Sequence, residues 1–229
     1  MKAMILAAGV GERMRPLTDR TPKPLLQVAG VPLIGHHIEH LAGAGFRELV
    51  INVSHLAQQI VDYCGDGSRW GVSIRYSRED TPLETAGGIH RALPLLGEGA
   101  FLVVNGDVWI DYPFARLLGY CPAPPRTAHL VMVGNPPHHP AGDFQLAEGG
   151  LLQLRSPQAV GCTYAGVGVF TPAFFAGMGA GKLALRPLLD AAIPAGLVSA
   201  EFHPGQWQDV GTPQRLADLD AALREARVP

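Results

Sequence analysis

Apolar residues recur along the chain with two different periods. Ala3 to Ala7 is a short apolar run ending at a glycine, which predicts a buried strand. From Leu33 to Ala44 the apolar positions have helical spacing, and Gly45 marks the stop. "ELVINV" at Glu48 to Val53 reads as a strand, Leu56 to Tyr63 as a helix, and "VSIRY" at Val72 to Tyr76 as an alternating strand. A helix is expected over Thr85 to Leu96, with Pro94 near its end. "FLVV" at Phe101 to Val104 is the continuous apolar run of a central parallel strand. Strands alternating with helices predict an α/β fold, a mostly parallel sheet with helices on both faces.

The second half is less regular. A proline-rich turn at Pro122 to Pro125 precedes a strand, "AHLVMV", at Ala128 to Val133. "NPPHHPAG" at Asn135 to Gly142 is a loop, and strand-like pieces follow near Phe144 to Leu146, Leu151 to Leu154 and Tyr164 to Phe170. A helix is expected over Ala184 to Ala192. Thr212-Pro213 opens the last helix, threonine as cap and proline where a missing N–H costs nothing.

Composition bounds what this pattern serves. The 229 residues suit one α/β domain, with 47% apolar and 17% charged residues, and the formal net charge is −2. That balance excludes a polyanion-binding surface over the whole molecule, so no nucleic acid partner is expected and any anion site is local. Three widely spaced cysteines, Cys64, Cys121 and Cys162, form no C-x-x-C pair and point to reduced thiols in the cytoplasm. No segment approaches the roughly 20 apolar residues of a membrane span, and the first apolar run is too short for a secretory signal.

Local anion chemistry is written directly after the first strand. "LAAGVGERMRPLTDRTPKPL", Leu6 to Leu25, holds two glycines, three arginines and a lysine. Gly9-x-Gly11-x-Arg13 lacks the third glycine of a dinucleotide fingerprint, since position 14 is Met14, and it lacks the G-K-[ST] of an ATPase phosphate loop. Glycines after a strand let backbone N–H groups approach an anion, and an arginine grips phosphate oxygens bidentately. Lys23 lies between Pro22 and Pro24, which are expected to hold it in an extended segment. A glycine-rich turn with solvated basic residues would give part of the same string. Its place at the ligand-binding end of a buried strand favours a phosphate site.

The loop, with "TPKPL", resembles the G-x-G-x-R and P-K signature of the sugar-1-phosphate nucleotidylyltransferases. The similarity continues at "PLETAGGI", "VVNGDV", "YAGVGVF" and "WQDVGTP". The resemblance implies a Rossmann-like nucleotidyltransferase fold in a single domain, residues 1–229, with a nucleotide part near 1–110 and a sugar part near 111–229. It implies joining of a nucleoside triphosphate to a sugar 1-phosphate with release of pyrophosphate, and use of Mg²⁺. Nucleotide contacts would come from Leu6, Ala7, Ala8, Gly9, Gly11, Arg13 and Lys23, with Gly87 and Gly88 offering backbone groups to the base. Arg13, Lys23 and Asp107 would be catalytic. Asp107 and Asp209 match the metal ligands, two carboxylates from separate loops that can share one hard cation. A turn residue at Asp107, a local backbone acceptor at Asp209 and a helix cap at Thr85 are the plainer alternatives.

For the sugar, the resemblance implies Asn105, Gly142, Asp143, Tyr164 and Gly166. Arg155 stands near a lysine that many members use for the sugar phosphate. Glu84 replaces the family's usual glycine in "LETAGG". The sequence carries no hexapeptide repeat, and "VNGDVWIDY", "NPPHHPAGDF" and "YAGVGVFTPAFF" look most like members that join UTP to N-acetylmuramic acid 1-phosphate. A short mannose-1-phosphate guanylyltransferase, a phosphocholine cytidylyltransferase and a non-catalytic nucleotide-sugar-binding subunit remain open. His36, His37 and His40 are expected on a helix surface, His138 and His139 in a solvated loop, and Trp109 and Trp207 in packing.

Overall fold

A computed structural model describes residues 1–226; the last three residues of the expected domain, 227–229, lie outside the described residues. The first half begins with β1 (Ala3–Leu6), a small ribbon of β2 (Gln27–Val28) and β3 (Val31–Pro32), and helix α1 (Leu33–Gly43). It continues with β4 (Glu48–Val53), α2 (Ala57–Cys64), β5 (Ser73–Arg78), α3 (Glu84–Leu96) and β6 (Phe101–Asn105). The second half carries β7 (Val108–Ile110), β8 (Ala128–Val133), β9 (Phe144–Leu146), β10 (Leu152–Leu154) and β11 (Thr163–Phe170). Helix α4 (Arg186–Ala192), β12 (Val198–Phe202), β13 (Trp207–Asp209) and α5 (Pro213–Glu225) complete it.

Seven strands form one sheet in the order β12-β8-β11-β6-β1-β4-β5. All run parallel except β11, which is antiparallel to both its neighbours. The strand period of two explains the layering. Ala3 and Ile5 of β1 enter a core with Ile34, Ile38 and Leu41 of α1 and Ile60 of α2. Met4 points the other way, into a core with Ala86, Ile89 and Ala92 of α3 and Leu189 of α4. Helices therefore cover both faces, and the central strands are apolar throughout because neither side meets water. Among the described residues no helix is long and apolar enough to cross a membrane.

A third, smaller core ties the loop after β1 to the end of the chain. Met14, fully buried, packs with Leu26, Val28, Leu33, Val210 and Leu219 of α5. The residue that breaks the dinucleotide fingerprint is thus the plug that anchors the glycine loop. Helix α5 starts as expected, with the Thr212 hydroxyl accepting from the Arg215 N–H at 3.3 Å.

Several expectations change. Lys23 opens a single 3-10 turn, Lys23–Leu25, and only Pro22 before it is extended. Thr85 caps nothing: α3 begins after Leu83 with no side-chain cap. Glu84 has φ 59°, the left-handed conformation a glycine adopts at no steric cost, so the backbone keeps the glycine geometry without the glycine. His36 and His37 are buried and only His40 is exposed. The His36 Nε2 lies 2.9 Å from the Val28 carbonyl, which satisfies a polar ring inside the core. Burial pushes the His37 imidazole down to about 4.

Candidate active site

The glycine loop is shaped by close backbone approach. Gly11 has φ 71°, and a Cβ there would meet the Thr18 methyl at 2.9 Å and Lys23 Cβ at 3.3 Å. The Thr18 hydroxyl donates to the Gly11 carbonyl at 2.9 Å, fixing the turn. Arg13 lines the cleft beyond it and makes no hydrogen bond or ion pair among the described residues. Lys23 is 8% exposed, and its Nζ lies 2.7 Å from Asp107 Oδ2.

Asp107 owes its place to Gly106. The Gly106 N–H donates to the Leu6 carbonyl at 2.9 Å, and a Cβ on Gly106 would collide with that oxygen. Only glycine lets the chain leave β6 pressed against the end of β1, which sets the next residue over the glycine loop. β7 then pairs antiparallel with β13, placing Asp209 opposite Val108, while the Val210 N–H donates to the Asp107 carbonyl at 2.8 Å. The two aspartates, a hundred residues apart in sequence, thus sit on adjoining rungs of one ribbon.

They face a cleft of two chambers. The first, about 580 Å³, is lined by Leu6, Ala7, Ala8, Gly9, Gly11, Arg13, Lys23 and Asp107, as the sequence suggested, and by Asn52, Glu79, Pro82, Glu84, Thr85 and Lys182, which it did not. The second, about 330 Å³, is lined by Asn105, Tyr164, Gly166, Asp107 and Asp209, and by His138, His139 and Trp207. Asn105 and Asp107 belong to both chambers.

Four predicted residues stand behind the walls. Gly87 and Gly88 are buried in α3 and line neither chamber. A Cβ on Gly87 would collide with the Gly181 carbonyl, and one on Gly88 would lie 2.8 Å from Glu79 Oε1. These glycines serve helix packing, and the wall in front of them is Glu84 and Thr85. Gly142 (φ 69°) makes a tight turn whose Cβ would strike Asn135 Oδ1 at 2.6 Å. Asp143 supports the second chamber from outside, accepting from the Tyr164 N–H at 2.9 Å and contacting His139 Nε2 at 3.1 Å. Arg155 is committed to the carbonyls of its own loop, Ser156 and Ala159 at 3.1 and 2.9 Å. His138 and His139 lie in an exposed loop, as expected, and from there they line the second chamber. Trp207 donates to the Ala165 carbonyl at 2.9 Å and floors the chamber.

Among the described residues three buried side-chain polar atoms have no hydrogen-bond partner: His37 Nε2, the Tyr164 hydroxyl and Asp209 Oδ1. Two of these residues, Tyr164 and Asp209, line the second chamber, with the unpartnered atoms themselves buried in its wall. Burial pushes the Tyr164 phenol upward, so it stays a neutral donor. Asp209 Oδ2 is held by the Arg215 guanidinium, whereas Oδ1, with His138 Nε2 at 2.9 Å, lacks hydrogen-bond geometry. No group of three or more His, Cys, Asp or Glu among the described residues could hold a metal alone. Two carboxylates on one chamber, one with an unpartnered oxygen, fit a hard cation that completes its shell with phosphate and water.

The fold is a mixed α/β sheet with a glycine loop, Lys23 and Asp107 together at its strand ends and Asp209 on the adjoining chamber, the architecture of a nucleotidyltransferase. The nucleotidyl transferase family matches residues 2–151, and the chain belongs to that family. It is 52% identical over 225 residues to the N-acetylmuramate alpha-1-phosphate uridylyltransferase of Neisseria meningitidis, covering 96% of this chain and 97% of that protein. It is 34% identical to the Caulobacter vibrioides protein of the same name, covering 98% and 97%. In fold it matches the crystal structure of a Bacillus anthracis protein named for glucose-1-phosphate thymidylyl transfer, with TM-score 0.86, 20% identity and coverage of 98% and 96%.

Proposed function

We propose that this nucleotidyltransferase moves a uridylyl group from UTP to N-acetylmuramic acid 1-phosphate, in the cytoplasm, as a step of cell-wall recycling. The observation that carries the reading is the two-chambered cleft, whose chambers share Asn105 and Asp107, with Lys23 against Asp107 on one side and Asp209 on the wall of the other. The names of the relatives at 52% and 34% identity support the choice of base and sugar. In this reading residues near 1–110 hold the nucleotide and residues near 111–229 the sugar, within a single domain.

The amides of Ala8 to Gly11 and the free Arg13 guanidinium hold the β- and γ-phosphates. Lys23 sits at the α-phosphate. Asn105, Tyr164 and Gly166 receive the sugar, with Asp143 fixing the Tyr164 backbone. Asp107 and Asp209 would hold Mg²⁺, which supplies charge neutralisation and orientation of the triphosphate. A sugar-phosphate oxygen forms the new bond to the α-phosphorus, the α–β anhydride bond breaks, and pyrophosphate leaves with the electron pair. The nucleophile is already anionic, so no side chain has to accept a proton; the chain's contribution is positioning and charge stabilisation.

Each acid neutralises a cation: Asp107 holds Lys23 and Asp209 holds Arg215. Substrate phosphate would take over the Lys23 contact and leave Asp107 free as a ligand, so the ion pair keeps the lysine in place before the reaction. Pyrophosphate release with UTP, GTP, CTP and dTTP, crossed with a panel of sugar 1-phosphates, tests the reading. The largest kcat/KM is expected for UTP with N-acetylmuramic acid 1-phosphate. Preference for GTP with mannose 1-phosphate would replace the substrate assignment, and no release with any pair would make the chain a nucleotide-sugar-binding subunit.

A further inference from the structure

Glu79, which with Asn52 stands on the wall of the first chamber, carries a largely buried carboxylate with no ion pair among the described residues. It is 5% exposed and Asn52 is 3% exposed. A buried charge without a cation is retained only where hydrogen bonds hold it. Here they form a continuous chain. The Ala7 N–H donates to Asn52 Oδ1 at 2.8 Å, Asn52 Nδ2 donates to Glu79 Oε1 at 2.8 Å, and the Leu83 N–H donates to Glu79 Oε2 at 2.8 Å. The amide orientation of Asn52 follows from its neighbours, since a backbone donor on one side and an acid on the other admit one placement.

The chain of bonds crosses the ends of three parallel strands. Ala7 follows β1, Asn52 is the penultimate residue of β4 in register with Leu6, and Glu79 follows β5 with its own N–H bonded to the Val53 carbonyl at 2.9 Å. Its two ends are walls of the first chamber: the Ala7 to Gly9 loop on one side and the Pro82 to Thr85 segment on the other. Gly88 seals the back, because any Cβ there would lie 2.8 Å from Glu79 Oε1 and 2.9 Å from Asn52 Nδ2.

We infer that Asn52 and Glu79 are positioning residues that set the width of the nucleotide slot, holding the glycine loop and the segment before α3 at a fixed separation. The inference rests on the first chamber being the nucleotide site. The acid is required by the arithmetic of donors. Three N–H groups point along the chain of bonds, and only a residue that accepts at both oxygens satisfies the last two.

That arithmetic supplies its own test. In Asn52→Asp two carboxylates face each other, and in Glu79→Gln two N–H donors face each other. The double variant Asn52→Asp/Glu79→Gln rebuilds every bond with the middle one reversed: the introduced glutamine amide would donate to the introduced aspartate, and the N–H groups of Ala7 and Leu83 would keep their acceptors. Steady-state kinetics with UTP and the sugar 1-phosphate, beside thermal melts, read the outcome. Each single variant is expected to raise the KM for UTP roughly tenfold, the size of one lost charge-assisted bond, with the sugar-phosphate KM within about twofold. The double variant is expected to return the UTP KM to within about threefold of wild type, as one re-formed bond would. Single variants that melt earlier but keep the UTP KM, or a double variant that stays impaired or unfolded, would overturn the inference while leaving the functional reading intact. A wild-type chain that takes no nucleotide would overturn both.

Discussion

Replacing Lys23 with methionine separates its charge from its packing. The stem is buried beneath the glycine loop, with Cβ 3.3 Å from where a Gly11 side chain would begin, and methionine fills nearly the same volume. What disappears is the ammonium 2.7 Å from Asp107 Oδ2. The Asp107 side chain is 44% exposed, so water replaces the lost partner and the fold should lose no more than about 1 kcal/mol. On the proposed function the reaction loses a preorganised positive charge where charge grows on the α-phosphoryl group. Removing one such donor costs about 3–4 kcal/mol, a fall in kcat of roughly a hundred- to a thousandfold. Steady-state pyrophosphate release beside urea unfolding measures both quantities. Lys23→Met with normal kcat and a raised UTP KM would refute the reasoning and make Lys23 a ground-state binding group. A folding loss of several kcal/mol would make the ion pair primarily structural.

Asp107→Asn keeps an acceptor for Lys23 but removes a charged ligand, so metal-dependent turnover should fall at least about a hundredfold with an unchanged melting curve. Met14→Ala empties a fully buried site and should cost about 2–5 kcal/mol in urea unfolding, with a raised UTP KM as the loop loses its anchor. Burial pushes the Cys64 thiol up to about 12, while Cys121 is exposed. Mass spectrometry after mild alkylation of the folded protein at about pH 8 should find Cys121 modified and Cys64 untouched.

The layered sheet was legible because its strands and helices carry their own periods. β4 and β8 occupy the expected residues, Glu48–Val53 and Ala128–Val133. The ribbon of β7 and β13 was not legible: each strand has three residues, Gln208 and Asp209 are polar, and the pairing joins segments a hundred residues apart. Yet that ribbon is what brings the aspartates together. Asp107 and Lys23 stood out through the motifs around them, "VVNGDV" and "TPKPL". Asn52 and Glu79 could not, since each looks like an ordinary polar residue until its partner is seen. Gly87 and Gly88 show the converse: a glycine pair signals close approach, but the sequence does not say to what. His36 and His37 reached the core because a buried ring needs only a local carbonyl or a neutral state.

A nucleotide complex soaked with Mn²⁺ in place of Mg²⁺ tests the central claim, that both acids serve one ion between the chambers. An anomalous peak about 2.1 Å from carboxylate oxygens of both Asp107 and Asp209, with Lys23 Nζ against the α-phosphate, is the predicted result. A peak on one aspartate alone, or an ion held by phosphates with Asp209 still locked to Arg215, would contradict it.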